Sequence, residues 1–415
     1  MSKKIIVIGG GIIGLCTAYY LQKEGHQVII VDQSNMDAGT SYVNAGYLSP
    51  SHIIPLAAPG VMKKGIKWMF NSASPLYIKP RLDLDFLKWA WAFNNSCNAT
   101  HVKKAIPVIK DISLLSQELY DEIKKSENFK FHYEKKGLLM LCQTDKMLEE
   151  EIDTAEIAKN TGLNVTTLSL SDLKKTEPNV TINAKGAVYY KCDSHSTPSE
   201  FMEEMKAYLI SSGVQIFKNE KVEDFEVSEG KIITIKTNGQ ILKADEFVLA
   251  AGCWSSFLTK KLGLNILLQA GKGYRINTEN ETGISIPAIL AEKKVAVTPM
   301  NGFTRFAGTM EIAEINNKLN GVRVDAIANA VSQYYPEIEL SKEEKENASS
   351  GLRPLSFDGL PYIGKSVKCN NLTIATGHAM MGWTMATATG KLVSEIISNK
   401  KSSINLEPFS VDRKN

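Results

Sequence analysis

The sequence predicts an α/β fold in which a doubly wound parallel-sheet unit is interleaved with an antiparallel-sheet unit. Three observations carry this expectation. The chain opens on an apolar strand, a glycine-rich turn, a helix and a second apolar strand. Strand–helix alternation returns near the C-terminus, and several short strands follow one another in between. At 415 residues the chain has room for two or three domains of about 150 residues each. Its 43% hydrophobic and 22% charged content excludes a disordered or fibrous polypeptide. Lys and Arg total 48 against 45 Asp and Glu, a formal charge of +3, so no nucleic-acid partner is expected. The six cysteines (Cys16, Cys97, Cys142, Cys192, Cys253, Cys369) stand singly. That pattern argues against a disulfide scaffold or a zinc site, fits a reducing compartment, and leaves no metal assigned.

Lys4–Ile8 is apolar throughout, as expected of a strand buried on both faces. Gly9-Gly10-Gly11 ends the apolar run after four residues with no small-residue cleavage site following, so a first strand opening directly at the N-terminus is expected in preference to a signal peptide. Residues 14–25 carry helical spacing (Leu15, Ala18, Tyr19, Leu21) and stop at Gly25; Gln27–Val31 is the second strand. No apolar run reaches about 18 residues, so no transmembrane helix is expected. Residues 49–98 change character, with Pro50, Pro55, Pro59, Pro75 and Pro80 among Trp68, Trp89, Trp91 and lysines. Two short helices are expected there, over 60–70 (Lys63, Lys64 and Lys67 exposed) and 83–93. A lid packed on the core is the preferred reading of this insertion, and a lipid-touching face the alternative. Residues 102–125 place Ile106, Ile109, Ile112, Leu115, Leu119 and Ile123 on one helical stripe. Further helices are expected over 145–159, 199–211, 321–335 and 382–398. Strands are expected over 131–142, 187–191, 214–217, 231–237, 244–250, 272–277, 295–299 and 304–309. The expected division is a nucleotide-binding unit from 1–48, 196–258 and 348–400, a substrate unit from 99–195 and 259–347, and the insertion 49–98.

Gly9-Gly10-Gly11-Ile12-Ile13-Gly14 fits G-x-G-x-x-G, follows a strand, opens a helix, and precedes Asp32 at the end of the second strand. This is a Rossmann-like dinucleotide fingerprint. Gly9 allows the turn, Gly11 lets backbone approach a pyrophosphate, Gly14 permits close helix–strand packing, and the amides of Ile12 and Ile13 face the anion. Asp32, with Gln33 beside it, would accept hydrogen bonds from ribose hydroxyls and repel a 2′-phosphate. FAD is favoured over NAD by the motif's place at the start of a long chain and by a second apolar strand ending in Ala251-Gly252.

Several further motifs then resemble one family. They are Thr40–Pro50 (with Asn44-Ala45-Gly46-Tyr47), Ala57-Ala58-Pro59-Gly60, Ile66-Lys67-Trp68-Met69-Phe70 and Lys272-Gly273-Tyr274. Gly351-Leu352-Arg353-Pro354 with Asp358-Gly359, and Gly377-His378 with Gly382-Trp383-Thr384-Met385-Ala386, complete the set. The chain resembles the small subunit of bacterial D-amino acid dehydrogenase, in the glycine oxidase and D-amino acid oxidase group of FAD enzymes.

The resemblance implies that Asn44, Ala45 and Gly46 run past the isoalloxazine ring and that Val222 meets the adenine side. Gly377, Gly382, Trp383 and Thr384 would bring amides to the flavin N1–C2=O edge. Arg353 would hold the substrate carboxylate through a bidentate fork. His378 reads either as a base or as a loop residue, and Tyr274 and Tyr47 either as substrate contacts or as wall. No cysteine lies between 351 and 364, so FAD is expected to be noncovalent.

The implied reaction is oxidation of a D-amino acid to an imino acid that hydrolyses to a 2-oxo acid and ammonia. Electrons would pass to a membrane quinone or another acceptor, from a cytoplasmic protein with peripheral contact on the inner membrane face. Asp193-Ser194-His195-Ser196-Thr197-Pro198 departs toward relatives that oxidise cis-4-hydroxy-D-proline. His195 there would contact a ring hydroxyl or, the preferred reading, cap the helix that follows. A glycine/sarcosine-type oxidase using oxygen and a non-catalytic flavin sensor remain as alternatives.

Overall fold

The computed structural model describes residues 1–62, 74, 76–79, 83–316 and 318–413. Among them the first sheet has six strands, in the order Gln215–Phe217, Gln27–Val31, Lys4–Ile8, Glu246–Leu249, Leu372–Thr376 and Tyr362–Lys365. The first five run parallel, and Tyr362–Lys365 closes one edge antiparallel. The opening strand shows why its residues are all apolar. Ile5 and Val7 enter one hydrophobic cluster, with Leu15, Phe201, Leu392 and the helix stripe Ile109, Ile112 and Leu119. Ile6 and Ile8 enter a second cluster on the opposite face, with Val222, Ile232 and Ile235. Helices therefore cover one face (Ile12–Lys23, Ala99–Ser126, Pro198–Ser211, Ala386–Ile397), and a small antiparallel sheet, Val222–Ser228 with Lys231–Thr237 and Ile241–Leu242, covers the other.

The second large sheet runs Ser349–Ser356, Leu268–Thr278, Phe303–Ile312, Val295–Met300, Ala288–Leu290, Leu138–Cys142, Gly186–Tyr190, Val165–Ser169. Leu76–Ile78 adds to it beside Met310–Ile312. Helix Gly321–Tyr334 packs Val324, Ile327 and Val331 against Tyr274, Ile276 and Phe306. A third, three-stranded unit joins Tyr47–Leu48, Ser194–Ser196 and Tyr133–Glu134.

The observed elements differ from the expected ones in physically explicable places. The expected strand 131–142 is two strands, Tyr133–Glu134 and Leu138–Cys142, separated by Gly137 at φ 74°. The last helix starts at Ala386, because 382–385 form turns. Strand Ser349–Ser356 carries Gly351 and Pro354, which obscure its period-two signal; as an edge strand it tolerates a proline. Within the insertion, Leu84–Ser96 is a helix capped by Asp83, and the buried Trp89 ring donates from Nε1 to the Leu355 carbonyl at 3.1 Å. The expected helix at 60–70 and its lysines Lys63, Lys64 and Lys67 lie almost wholly outside the described residues. All six cysteines are unpaired.

Close approach explains Gly14. A Cβ there would collide with the Gly9 carbonyl oxygen, whose position is fixed by the turn. Gly14→Ala is therefore expected to lower stability by about 1–3 kcal/mol through overpacking, read as a fall in thermal unfolding midpoint of the cofactor-free protein.

Candidate active site

The carboxyl ends of four parallel strands meet along one edge of the six-stranded sheet. Lys4–Ile8 ends in the glycine turn, Gln27–Val31 in Asp32, Glu246–Leu249 in Ala251-Gly252, and Leu372–Thr376 in Gly377. Such an edge is where open parallel sheets bind ligands. Helix Ile12–Lys23 begins there with Gly11 as N-cap and no acidic residue in its first turn, so its positive end is uncompensated. Ser41 Oγ accepts from the Ile12 amide at 3.0 Å. The amides of Gly11, Ile13 and Gly14 find no acceptor among the described residues. A Cβ on Gly11 would meet only Ser41 Oγ, at an ordinary 3.5 Å. Protein packing thus explains Gly14, while Gly11 faces open space shaped for another molecule.

Asp32 accepts from the Gly10 amide at 2.7 Å, and from the Ser34 amide and hydroxyl at 2.8 and 2.6 Å. That anchors the carboxylate beside the glycine turn with acceptor capacity left over. Gln33 is exposed next to it. The Glu220 amide donates to the Asp32 carbonyl at 2.8 Å, which brings the start of Val222–Ser228 alongside.

At the other end of the site, the amides of Gly382, Trp383 and Thr384 have no acceptor among the described residues. Three adjacent unpaired N–H groups form a donor cluster suited to a carbonyl or a developing negative charge. The Trp383 ring itself is core: Nε1 donates to Ser196 Oγ at 3.0 Å and the ring packs against Phe201 and Tyr120. Thr384 Oγ1 donates to the Tyr47 carbonyl at 3.0 Å.

Asn44-Ala45-Gly46 is held from several sides. The buried Arg305 donates from Nη1 to the Tyr42 and Asn44 carbonyls at 2.8 and 2.6 Å, and from Nε to Asn277 at 3.0 Å. Thr298 donates to the Ala45 carbonyl at 2.7 Å, and the Ser196 amide to that of Gly46 at 2.8 Å. Burial, with Arg275 nearby, holds the Arg305 pKa down to about 9. The sequence did not single out Arg305. Its partners are main-chain carbonyls far away in the chain, which leave no motif.

Arg353 lies across the sheet from Gly271 and rests its guanidinium over Gly273, where any Cβ would collide with it. The glycine of Lys272-Gly273-Tyr274 is thus the seat of the arginine. Nη1 donates to the Thr309 carbonyl at 2.9 Å, the single protein acceptor Arg353 has among the described residues. Thr309 sits at φ 57°, an outlier for a β-branched residue, in a bulge opposite Gly273. Among the described residues no carboxylate pairs with Arg353, and desolvation lowers its pKa to about 10. A half-buried guanidinium with most of its donors unfilled has the chemistry to take a carboxylate.

Three expectations need correction. Tyr274 is not with Arg353: alternation puts residues 271, 273 and 275 on the Arg353 face and Tyr274 on the other. There it is buried against helix Gly321–Tyr334 and donates to Glu311 at 2.8 Å. The Tyr47 hydroxyl is filled by backbone, with the Ala288 and Val297 carbonyls as acceptors at 2.7 and 2.9 Å and the Val297 amide donating at 2.9 Å. His195 does not cap the helix Pro198–Ser211, whose N-cap is Thr197, and its imidazole is fully buried.

His378 is buried, and burial pushes its pKa down to about 3. Thr389 Oγ1 donates to the Met385 carbonyl at 2.8 Å and so accepts from His378 Nε2 at 2.9 Å. The ring is neutral and its bond braces the turn before the last helix. Asp193, also buried, accepts from the Ser51 amide and hydroxyl at 3.1 and 2.6 Å, and desolvation raises its pKa to about 7.

A glycine cradle at the carboxyl ends of parallel strands, in a chain that also carries an arginine with most of its donors unfilled, fits a dinucleotide-dependent enzyme. The chain belongs to the FAD dependent oxidoreductase (DAO) family, whose model matches residues 4–396. It is 30% identical over 407 residues to the D-amino acid dehydrogenase of Vibrio vulnificus strain CMCP6, covering 96% of this chain and 97% of that protein. It is likewise 30% identical over 419 residues to the D-amino acid dehydrogenase of Neisseria meningitidis serogroup C strain 053442, covering 99% of each. Glycine oxidase from Geobacillus kaustophilus superposes with a TM-score of 0.79 at 20% identity, over 100% of this chain and 99% of that one. L-proline dehydrogenase from P. horikoshii gives 0.75 at 18% identity, over 99% and 97%. FAD is the cofactor of this family, and the unpaired amides at both ends of the site fit it.

Gly11→Ala is expected to leave the cofactor-free protein's unfolding midpoint within about 2 °C of the parent, a small surface-type effect. FAD retention should nevertheless fall at least about tenfold, about 1.4 kcal/mol, in equilibrium titration of the apoprotein. Equal loss of stability in the Gly11 and Gly14 variants would remove the distinction between ligand-facing and packing glycines.

Proposed function

We propose that the protein oxidises D-amino acids to imino acids, which water converts to 2-oxo acids and ammonia, with noncovalent FAD as the immediate electron acceptor. Bound FAD supplies the two-electron acceptor for the hydrogen leaving Cα. The observation that carries this reading is Arg353, which among the described residues has one main-chain acceptor and no counter-ion. Its free donors bind the substrate carboxylate in a fixed plane, which orients Cα without side-chain base chemistry. Arg305, Thr298 and Ser196 hold the Asn44–Gly46 segment against the site. The amides of Gly382, Trp383 and Thr384 supply donors where negative charge accumulates on reduction. His378, kept neutral by burial, positions the loop. Tyr47 and Tyr274 form wall and core.

The test is a substrate panel scored by anaerobic bleaching of the flavin, with D-alanine, D-proline, cis-4-hydroxy-D-proline, glycine and sarcosine. Bleaching by D-amino acids at a rate rising with pH is expected, because the amine must be neutral to lose hydride. Bleaching by none of them ends the amine-oxidation reading. Arg353→Ala should lower kcat/KM about 10²–10⁴-fold, from losing two charge-assisted hydrogen bonds at about 1.5–3 kcal/mol each, with Arg353→Lys falling in between. His378→Gln should cost less than about tenfold and leave the alkaline rise in place.

We further propose a membrane quinone as the final acceptor, reached by peripheral contact through the insertion. Helix Leu84–Ser96 supports this by exposing Leu84, Leu87 and Trp91 at helical spacing. Among the described residues no helix is long and apolar enough to cross a membrane. Charge reversal of Lys63, Lys64 and Lys67 should reduce sedimentation with anionic-lipid vesicles; undiminished binding would sink the membrane contact.

A further inference from the structure

His132, Glu134 and His195 form a cluster that the proposed reaction does not use. Residues 132 and 134 are two apart at the start of strand Tyr133–Glu134, so their side chains leave the same face. The antiparallel register sets His195, on Ser194–Ser196, directly opposite Glu134. Directly opposed residues on one face place their Cβ atoms about 5 Å apart. An i, i+2 pair with a cross-strand neighbour therefore converges three side chains on one point. Glu134 Oε2 lies 3.5 Å from His132 Nε2 and 3.5 Å from His195 Nε2. One ligand atom from each residue lies within 4.8 Å of the other two.

The second observation is the state of His195. It is fully buried, and neither ring nitrogen has a hydrogen-bond partner within bonding geometry. The Pro299 carbonyl is the backbone group best placed to accept from the ring. Native structures satisfy nearly all buried polar atoms, so a buried imidazole with no well-formed hydrogen bond, its Nε2 3.5 Å from a carboxylate oxygen and beside a second imidazole, has a place for a further ligand. His132 already has the outer contact a ligand histidine needs, its Nδ1 lying 3.1 Å from Thr197 Oγ1, which leaves Nε2 to face the cluster.

We infer that His132, Glu134 and His195 bind a divalent transition-metal ion, with Zn²⁺ the best match. Donor atoms at about 2.0–2.1 Å from a tetrahedral zinc stand about 3.4 Å apart, close to the observed 3.5 Å separations. Two imidazoles and one carboxylate leave a fourth position toward the part-exposed side of His132 and Glu134. Lys136 now pairs with Glu134 Oε2 at 2.9 Å and competes with a metal for it. The ion would clip together two strands, of which Ser194–Ser196 carries Ser196, the partner of Gly46 and Trp383. Its role is structural support of the segment beside the flavin, and no redox step is assigned to it.

The test titrates chelator-treated, flavin-loaded protein with Zn²⁺ against a chromophoric competitor, and separately with Co²⁺, whose visible ligand-field bands report tetrahedral nitrogen and oxygen ligands. One equivalent is expected to bind. Glu134→Gln and His132→Gln, both at part-exposed positions, should each weaken it at least about tenfold. Lys136→Ala should tighten it several-fold, an effect that a purely structural Glu134–His195 contact does not produce. Zinc should raise the unfolding midpoint of the parent and leave that of Glu134→Gln unmoved. Absence of stoichiometric binding, or binding indifferent to both Gln substitutions, overturns the site whatever the outcome of the flavin-bleaching panel. His195→Asn is a supplementary variant, because its burial puts folding at risk.

Discussion

The arrangement rests on one steric constraint: helix Ile12–Lys23 must lie close enough to strand Lys4–Ile8 for its first amides to point past the strand's end. Gly14 against the Gly9 carbonyl sets that distance. The apolar faces of Ile5 and Val7 then hold the helix layer, while Ile6 and Ile8 hold the small sheet on the other side. With both faces buried, main-chain donors beyond the ends of the strands are left free to meet a ligand. The free amides of Gly11, Ile13 and Gly14 at one end of the site, and of Gly382, Trp383 and Thr384 at the other, follow from this geometry.

The second half of the site depends on desolvated arginines. Arg305 spends its donors on the Tyr42 and Asn44 carbonyls and becomes scaffold. Arg353 spends one donor on Thr309 and keeps the rest. Burial lowers both pKa values, to about 9 and about 10, yet both stay charged at neutral pH. The same residue type, on neighbouring parts of one sheet, serves as support in one place and keeps most of its donors free for an anion in the other. The difference lies in how many acceptors the backbone supplies.

The parts of the site carried by local motifs were legible in sequence. The glycine fingerprint lies between the first strand and helix with Asp32 bonded to its Gly10 amide, and Arg353 lies on an edge strand with its guanidinium over Gly273. Tyr274 was misplaced because sequence proximity to Gly273 hides that adjacent strand residues point to opposite faces. Tyr47 was ambiguous until its hydroxyl met the Ala288 and Val297 backbone, which belongs to a different sheet. Arg305 left no signal at all. His195 stood out in the sequence for its motif, but its neighbours His132 and Glu134 come from a strand 61 residues earlier in the chain, as the nearby Ser194–Tyr133 contact shows.

By itself the sequence determined the class of fold and picked out the glycine turn and the arginine proposed to hold the substrate. These depend on residue types at fixed short spacings, such as glycines in a turn, an acid at a strand end, or a four-residue motif. Only the tertiary structure decided which tyrosines face the site, which arginine is scaffold, and that two histidines and a glutamate meet. Those outcomes depend on strand register and on main-chain partners from distant segments, and a linear pattern of side chains records neither.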